Sequence, residues 1–264
     1  MSMLKIRLIP VLLLKNGLLV RSELFKIHQI IGNPINEVKR FNEWNVDEII
    51  YLDISRERYY DMCREDHKVK KMDNSLAILE EVSKTCFVPL TWGGNIQTLD
   101  DMRQCFNKGA DKITLNTAAM HDPDLVTQGA KMFGNQAIVV SIDVLRHPNG
   151  KTEVFIDGGH KATGMRPEEW AKQVEELGAG EILLQSIDRD GTGMGYDIDI
   201  IHNIALSVTI PVIACSGVGQ YEQYADGVRA GASAVAAANV WHFKELSDRN
   251  GKRALAKAGI NIRY

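Results

Sequence analysis

TWGGNIQTLDDMRQCFNKGADKITLNTAA, residues 91–119, reads as one complete structural unit. A short apolar strand ends in a Gly-rich turn, a helical pattern follows, a Gly-Ala pair closes it, and a second strand ends on small polar residues. ACSGVGQYEQYADGVRAGASAVAAANV, residues 214–240, repeats the same order in the second half of the chain. Glu48 in DEIIYLDIS and Glu181 in GEILLQSID form a further matched pair, 133 residues apart, and Gly94 and Gly217 are 123 apart. Separations of about half the chain make a duplicated half-barrel the economical reading. Working outward, eight apolar, often β-branched runs mark strands: 6–14, 48–54, 86–92, 112–116, 137–144, 181–187, 210–216 and 234–238. Runs of this kind suit parallel strands buried on both faces. Amphipathic stretches lie between them. In PEEWAKQVEELG, Trp170, Val174 and Leu177 fall at helical spacing, Pro167 suits a first turn and Gly178 a C-terminal cap. Eight strands alternating with helices predict an α/β fold, a (β/α)₈ barrel over 1–264 as a single domain. A doubly wound open sheet is the structural alternative.

Composition agrees. Of 264 residues, 31 are Lys or Arg and 34 Asp or Glu, a formal net charge of −3, with 45 % hydrophobic residues. This balance supports a packed core and disfavours disorder and general polyanion binding, so no nucleic-acid partner is expected. No apolar run approaches the ~20 residues that span a bilayer. The apolar stretch Leu8 to Leu14 is interrupted by Pro10 and lacks a cleavage site, so it is not read as a signal peptide. Cys63, Cys86, Cys105 and Cys215 are scattered, which fits a reduced cytoplasmic setting. The seven histidines show no metal-ligand spacing, so neither a metal nor a cofactor is expected.

Barrels of this class place chemistry at the C-terminal ends of their strands. There the turns GGN (93–95) and SGVG (216–219) let phosphate oxygens approach backbone N–H groups, and the helices that follow favour anions. Asn116-Thr117 and Ala238-Asn239 offer further donors, and DRDGTG (188–193) a third turn. The matched pairs suggest a ligand with two phosphates. Asp143, ending VVSID, is expected to point into the mouth, where a carboxyl can act as acid or base. Its counterpart on strand one is Leu13, which shares parity with Arg7, Ile9 and Val11 and is also expected to face inward. At the opposite strand ends stand Arg7, Glu48, Lys112 and Glu181. Two cations and two anions there can form a closed ring, either a structural plug or a gate for a small neutral molecule. Two long loops follow strands one and two, 16–33 and 54–74. Arg21 in the first is a candidate anion clamp, and the second is read as a solvated loop or a capture surface.

These motifs resemble, in order and over nearly the whole chain, the cyclase subunit of imidazole glycerol phosphate synthase, HisF: IPVLLLKNGLLVR, DEIIYLDIS, PLTWGGNI, GADKITLNTAA, VVSIDV, GAGEILLQSIDRDGTGMGYD, IPVIACSGVG and WHF. The resemblance implies a duplicated (β/α)₈ barrel that receives ammonia from a glutaminase through a floor gate and closes an imidazole ring at its top. Carried over by position, the gate is complete: Arg7, Glu48, Lys112 and Glu181. Asp111, on the glutaminase-facing side, is kept. The phosphate positions Gly94, Asn116, Thr117, Asp190, Gly191 and Gly217 match, whereas Asn95 stands for a glycine and Asn239, after the candidate Ala238, for a serine. Of two catalytic aspartates Asp143 is kept and Leu13 replaces the other; Arg21 replaces a loop lysine. The loop after strand two looks longer than the family's.

An aliphatic side chain cannot transfer a proton, and losing a positioned acid or base typically costs 10²–10⁴-fold. The pattern is most similar to HisF paralogues associated with bacterial surface-polysaccharide (O-antigen) synthesis. There a HisH-like glutaminase and the barrel are thought to supply ammonia to an amidotransferase that builds an acetamidino group on a nucleotide sugar. Two other functions stay open: an authentic cyclase using Asp143 with Asp53 or Asp190 as substitute acid, and a non-catalytic scaffold that activates the glutaminase.

Overall fold

The computed structural model describes residues 5–60 and 72–263. Eight parallel strands run in chain order around a closed barrel: β1 (Arg7–Lys15), β2 (Ile49–Asp53), β3 (Leu90–Gly93), β4 (Lys112–Leu115), β5 (Ile138–Arg146), β6 (Glu181–Ser186), β7 (Val212–Cys215) and β8 (Ala234–Ala237). Closure is made by β8 pairing with β1, Arg7 opposite Ala234, so the open-sheet alternative is excluded. The third strand begins later than its apolar run suggested. Cys86 to Pro89 lie outside it, because Pro89 supplies no N–H to a ladder.

Helices cover the outside, and their starts follow side-chain chemistry. Asn33 accepts from the Ile35 N–H and Asn74 from the Ala77 N–H, while Thr98 and Asp101 form a reciprocal capping box. Between strands and helices lies the main core, with Trp92, Trp241, Tyr51 and Phe41 fully buried and Tyr51 stacked on Trp92 at 5.3 Å. A second, smaller apolar cluster fills the barrel itself: Ile9, Val11 and Leu13 of β1 meet Ile50, Leu52, Val139, Leu183 and Ile213. The strict alternation of a strand assigns these residues to the inside and their neighbours to the outer core.

The 16–33 segment is not the loop expected. It folds into an antiparallel hairpin, Leu18–Glu23 against Ile27–Gly32, that extends β1 above the barrel mouth. Its alternating apolar residues and the left-handed turn at Leu24 and Phe25 account for this, and the sequence reading passed over them. A second extension, Thr152–Ile156 with Lys161–Ala162, follows β5. Of the 54–74 loop, residues 61–71, with Cys63, lie outside the described residues. Its base is tied by the Tyr60 N–H to the Asp73 carbonyl, 3.0 Å. Among the described residues no helix is long and apolar enough to cross a membrane.

The last helix, Ser247–Lys257, clasps the floor. Lys252 Nζ lies 3.1 Å from Asp47 Oδ1, and Asp47 Oδ2 accepts from the Leu8 N–H at 2.8 Å. Both side chains are buried. Losing one partner strands the other as an uncompensated buried charge, which costs about 3–5 kcal/mol. Lys252→Met is therefore expected to lower the urea-unfolding free energy by that amount, and the double variant Asp47→Asn/Lys252→Met to recover a large part. Equal stabilities for the wild type and Lys252→Met would contradict the clasp.

Candidate functional site

The floor is built first, because it contains the most costly residues to bury. Arg7 opens β1, Glu181 opens β6, Lys112 opens β4 and Glu48 immediately precedes β2. Arg7 Nη1 donates to Glu48 Oε2 at 2.6 Å and Nη2 to Glu181 Oε1 at 2.5 Å. Lys112 Nζ donates to Glu181 Oε2 at 2.7 Å and reaches both Glu48 oxygens at 3.1 and 3.2 Å. Each cation thus bridges both anions and the ring is closed. Thr91 Oγ1 adds a bond to Glu48 Oε1 at 2.8 Å, a contact sequence reading missed. Burial works against the charge on Arg7, but Glu181 and Glu48 outweigh it, and its pKa stands above the ordinary value. Asp111 sits exposed on the same floor, its carboxylate accepting from the Leu90 N–H at 2.8 Å.

Above the ring comes the inner apolar layer, and above that a cavity of about 1420 Å³ at the strand C-terminal ends. Leu13 points into this cup, 8 % exposed, beside Val11 and Leu52. Asp143 lines the same cup, 5 % exposed. Its Oδ1 accepts from Ser141 Oγ and from Gln185 Nε2, both at 3.1 Å. Burial pushes its pKa up to about 7, although those two hydrogen bonds pull the other way. Gln185 was not singled out from sequence. The signal was present: it shares the parity of Glu181 and lies in register with Asp143.

The two strand-end turns require glycine. Gly94 has φ +106°, and a Cβ there would strike the Asp53 carbonyl; Gly217 has φ +92°, and a Cβ would strike the Gly195 carbonyl. Two non-glycine residues beside them, Asn95 (φ 55°) and Ser216 (φ 78°), also adopt left-handed backbone. Asn95 Nδ2 bonds the Ser55 carbonyl at 3.1 Å, and Asn239 Nδ2 the Ser22 carbonyl at 2.9 Å. Asn116 Nδ2 bonds the Ser141 carbonyl, and Thr117 Oγ1 accepts from the Asp157 N–H at 2.9 Å. Gly94, Asn95, Asn116, Thr117, Asp190, Gly191, Gly217, Ala238 and Asn239 all line the one cavity.

Three further residues singled out above line the cavity and have partners of their own. Arg21 lies on a hairpin strand and not in a loop: its Nε donates to Gln29 Oε1 at 2.5 Å and its guanidinium lies over Phe243, 5.8 Å from the ring centre. Asp190 is turned to the hairpin, accepting from Ser22 Oγ at 2.6 Å and the Phe25 N–H at 3.2 Å. Asp53 accepts from the Ser55 N–H and Tyr60 Oη, both at 3.0 Å. Burial raises the pKa of both aspartates while these hydrogen bonds lower it.

Comparison with known proteins supplies the family. Residues 7–247 match the family described as histidine biosynthesis protein. The chain is 38 % identical over 262 residues to the imidazole glycerol phosphate synthase subunit HisF of Gluconacetobacter diazotrophicus, covering 99 % of this chain and 97 % of that protein. It is 39 % identical over 261 residues to the corresponding subunit of Alkaliphilus metalliredigens, covering 97 % and 98 %. A closed eight-stranded barrel, a match spanning all eight of its strands and full-length relatives at this identity together place the chain in the histidine biosynthesis protein family, among relatives of its HisF subunits.

Proposed function

We propose that this barrel receives ammonia at its floor from a HisH-like glutaminase and conducts it to its mouth. There the ammonia serves amidation of a nucleotide sugar, an acetamidino-forming step of surface-polysaccharide synthesis carried out with a separate amidotransferase. One observation carries the reading: the four-membered ring is complete, while Leu13 occupies the cup opposite the retained Asp143. Ammonia is small and neutral on release, so it can cross the apolar layer of Ile9, Ile50, Val139 and Leu183, where ions are strongly disfavoured. Opening one ring contact leaves every member with another opposite partner, so the passage need not expose a bare charge. At the top Asp143 is placed to hold or give up a proton near neutrality, but Leu13 offers nothing to complete acid–base cyclisation.

The second reading, an authentic cyclase, is favoured by the 38 % and 39 % identities and by the buried Asp53 and Asp190 at the mouth. Purified barrel given ammonium and the ribulosyl nucleotide separates the two. The conduit reading predicts no turnover above background, and robust turnover would falsify it. If one lost carboxyl explains the silence, Leu13→Asp gains about 10²-fold or more in that assay; no gain would assign the silence to the other substitutions.

Asp143 makes its own prediction. Its carboxyl titrates near 7 when folded and near 4 when unfolded, so the folded chain holds this proton more tightly. The stability it contributes is complete below the unfolded value and is lost as pH rises through about 7. Asp143→Asn keeps an acceptor for Ser141 and Gln185 and removes the charge. It is expected to raise stability at pH 8, by up to about 4 kcal/mol, and to change it little at pH 4. Thermal melts at both values check this, and an equal effect at both would contradict it.

A further inference from the structure

Four basic side chains line the cavity as two contacting pairs: Lys15 at the end of β1 with His28 on the hairpin, and Arg56 after β2 with His160 after β5. Lys15 Nζ is 3.2 Å from His28 Nδ1, and Arg56 Nη2 is 3.3 Å from His160 Nε2. Burial lowers the pKa of His28, and the nearby Lys15 and His160 lower it further. Among the described residues, none of the four forms an ion pair with a carboxylate. The row therefore brings two permanent cations, Lys15 and Arg56, and two imidazoles together at the rim. Like charges so arranged repel unless an anion lies across them.

The row is continuous with one of the two strand-end turns. Arg56 follows Ser55, whose carbonyl holds Asn95 beside Gly94. His160 follows closely on Asp157, whose N–H is bonded to Thr117. The other turn has no such extension. Near it, Lys244 is turned back onto the Gly219 carbonyl at 2.6 Å and Gln220 Oε1 at 3.1 Å, and Arg21 Nε donates to Gln29 Oε1.

We infer that Lys15, His28, Arg56 and His160 form an anion subsite which, joined to the Gly94–Thr117 turn, binds the diphosphate of a nucleoside diphosphate-linked ligand. Lys15 and Arg56 supply two permanent charges for the two of the diphosphate, and the imidazoles supply hydrogen bonds. The inference rests on the proposed amidation only in naming a nucleotide sugar as the source of that diphosphate. Calorimetric titration of the full chain with inorganic pyrophosphate and, separately, inorganic phosphate tests it. Pyrophosphate is expected to bind at least about tenfold more tightly than phosphate. Arg56→Ala and His160→Ala, both exposed and checked by thermal melts, are each expected to weaken pyrophosphate binding by about tenfold. Equal affinity for the two anions, or pyrophosphate affinity unmoved in both variants, would overturn the subsite. Absent amidation by the wild-type complex would remove the nucleotide sugar as ligand and leave pyrophosphate binding standing. Amidation alongside unmoved pyrophosphate affinity would remove the subsite alone.

Discussion

Two buried glutamates and two half-buried cations share the barrel floor because each charge has two opposite partners. Arg7 and Lys112 each bridge Glu48 and Glu181, with bonds of 2.5 to 3.2 Å. A single buried pair returns little net stability, since desolvation consumes most of the Coulombic gain. A closed ring is better placed, because every charge still has a partner when one contact opens. That redundancy fixes the rest of the design. Strand parity set by Arg7, Glu48, Lys112 and Glu181 at the floor carries Ile9, Ile50 and Leu183 into the middle layer and Leu13, Leu52 and Gln185 into the cup.

The barrel was legible because its strands are short, apolar and punctuated by glycine, and because period-two alternation tells which residues face inward. Leu13 is the clearest case: counting from Arg7 placed it in the cup, where it stands. The ring members were legible for the same reason. Local hairpins were not. The second strand of the 18–32 segment leaves Ile27, Gln29 and Ile30 exposed, so the segment reads as loop until its pairing with β1 is seen. Side-chain partnership was the least legible. Asp190 looks free in one dimension, but the hairpin folds over it and donates to its carboxylate, and Arg21 is a strand residue of that hairpin whose Nε is held by Gln29.

The two halves repeat in backbone yet differ in chemistry. Gly94 and Gly217 occupy matching left-handed turns, each pressed against a carbonyl. Around them, one half presents Asp143 and the other Leu13, and one turn carries a row of basic groups while the cations beside the other are engaged. Such divergence on a shared scaffold fits a mouth adapted to a ligand unlike a symmetrical bisphosphate, with the floor left intact.

The central claim is that ammonia travels through the barrel instead of through bulk water. Its most direct measurement is isotopic. The glutaminase, this barrel and the amidotransferase are supplied with glutamine labelled with ¹⁵N in its side-chain amide, together with an excess of unlabelled ammonium. The account predicts product nitrogen that remains predominantly ¹⁵N. Product nitrogen that follows the isotopic composition of the bulk ammonium would contradict it.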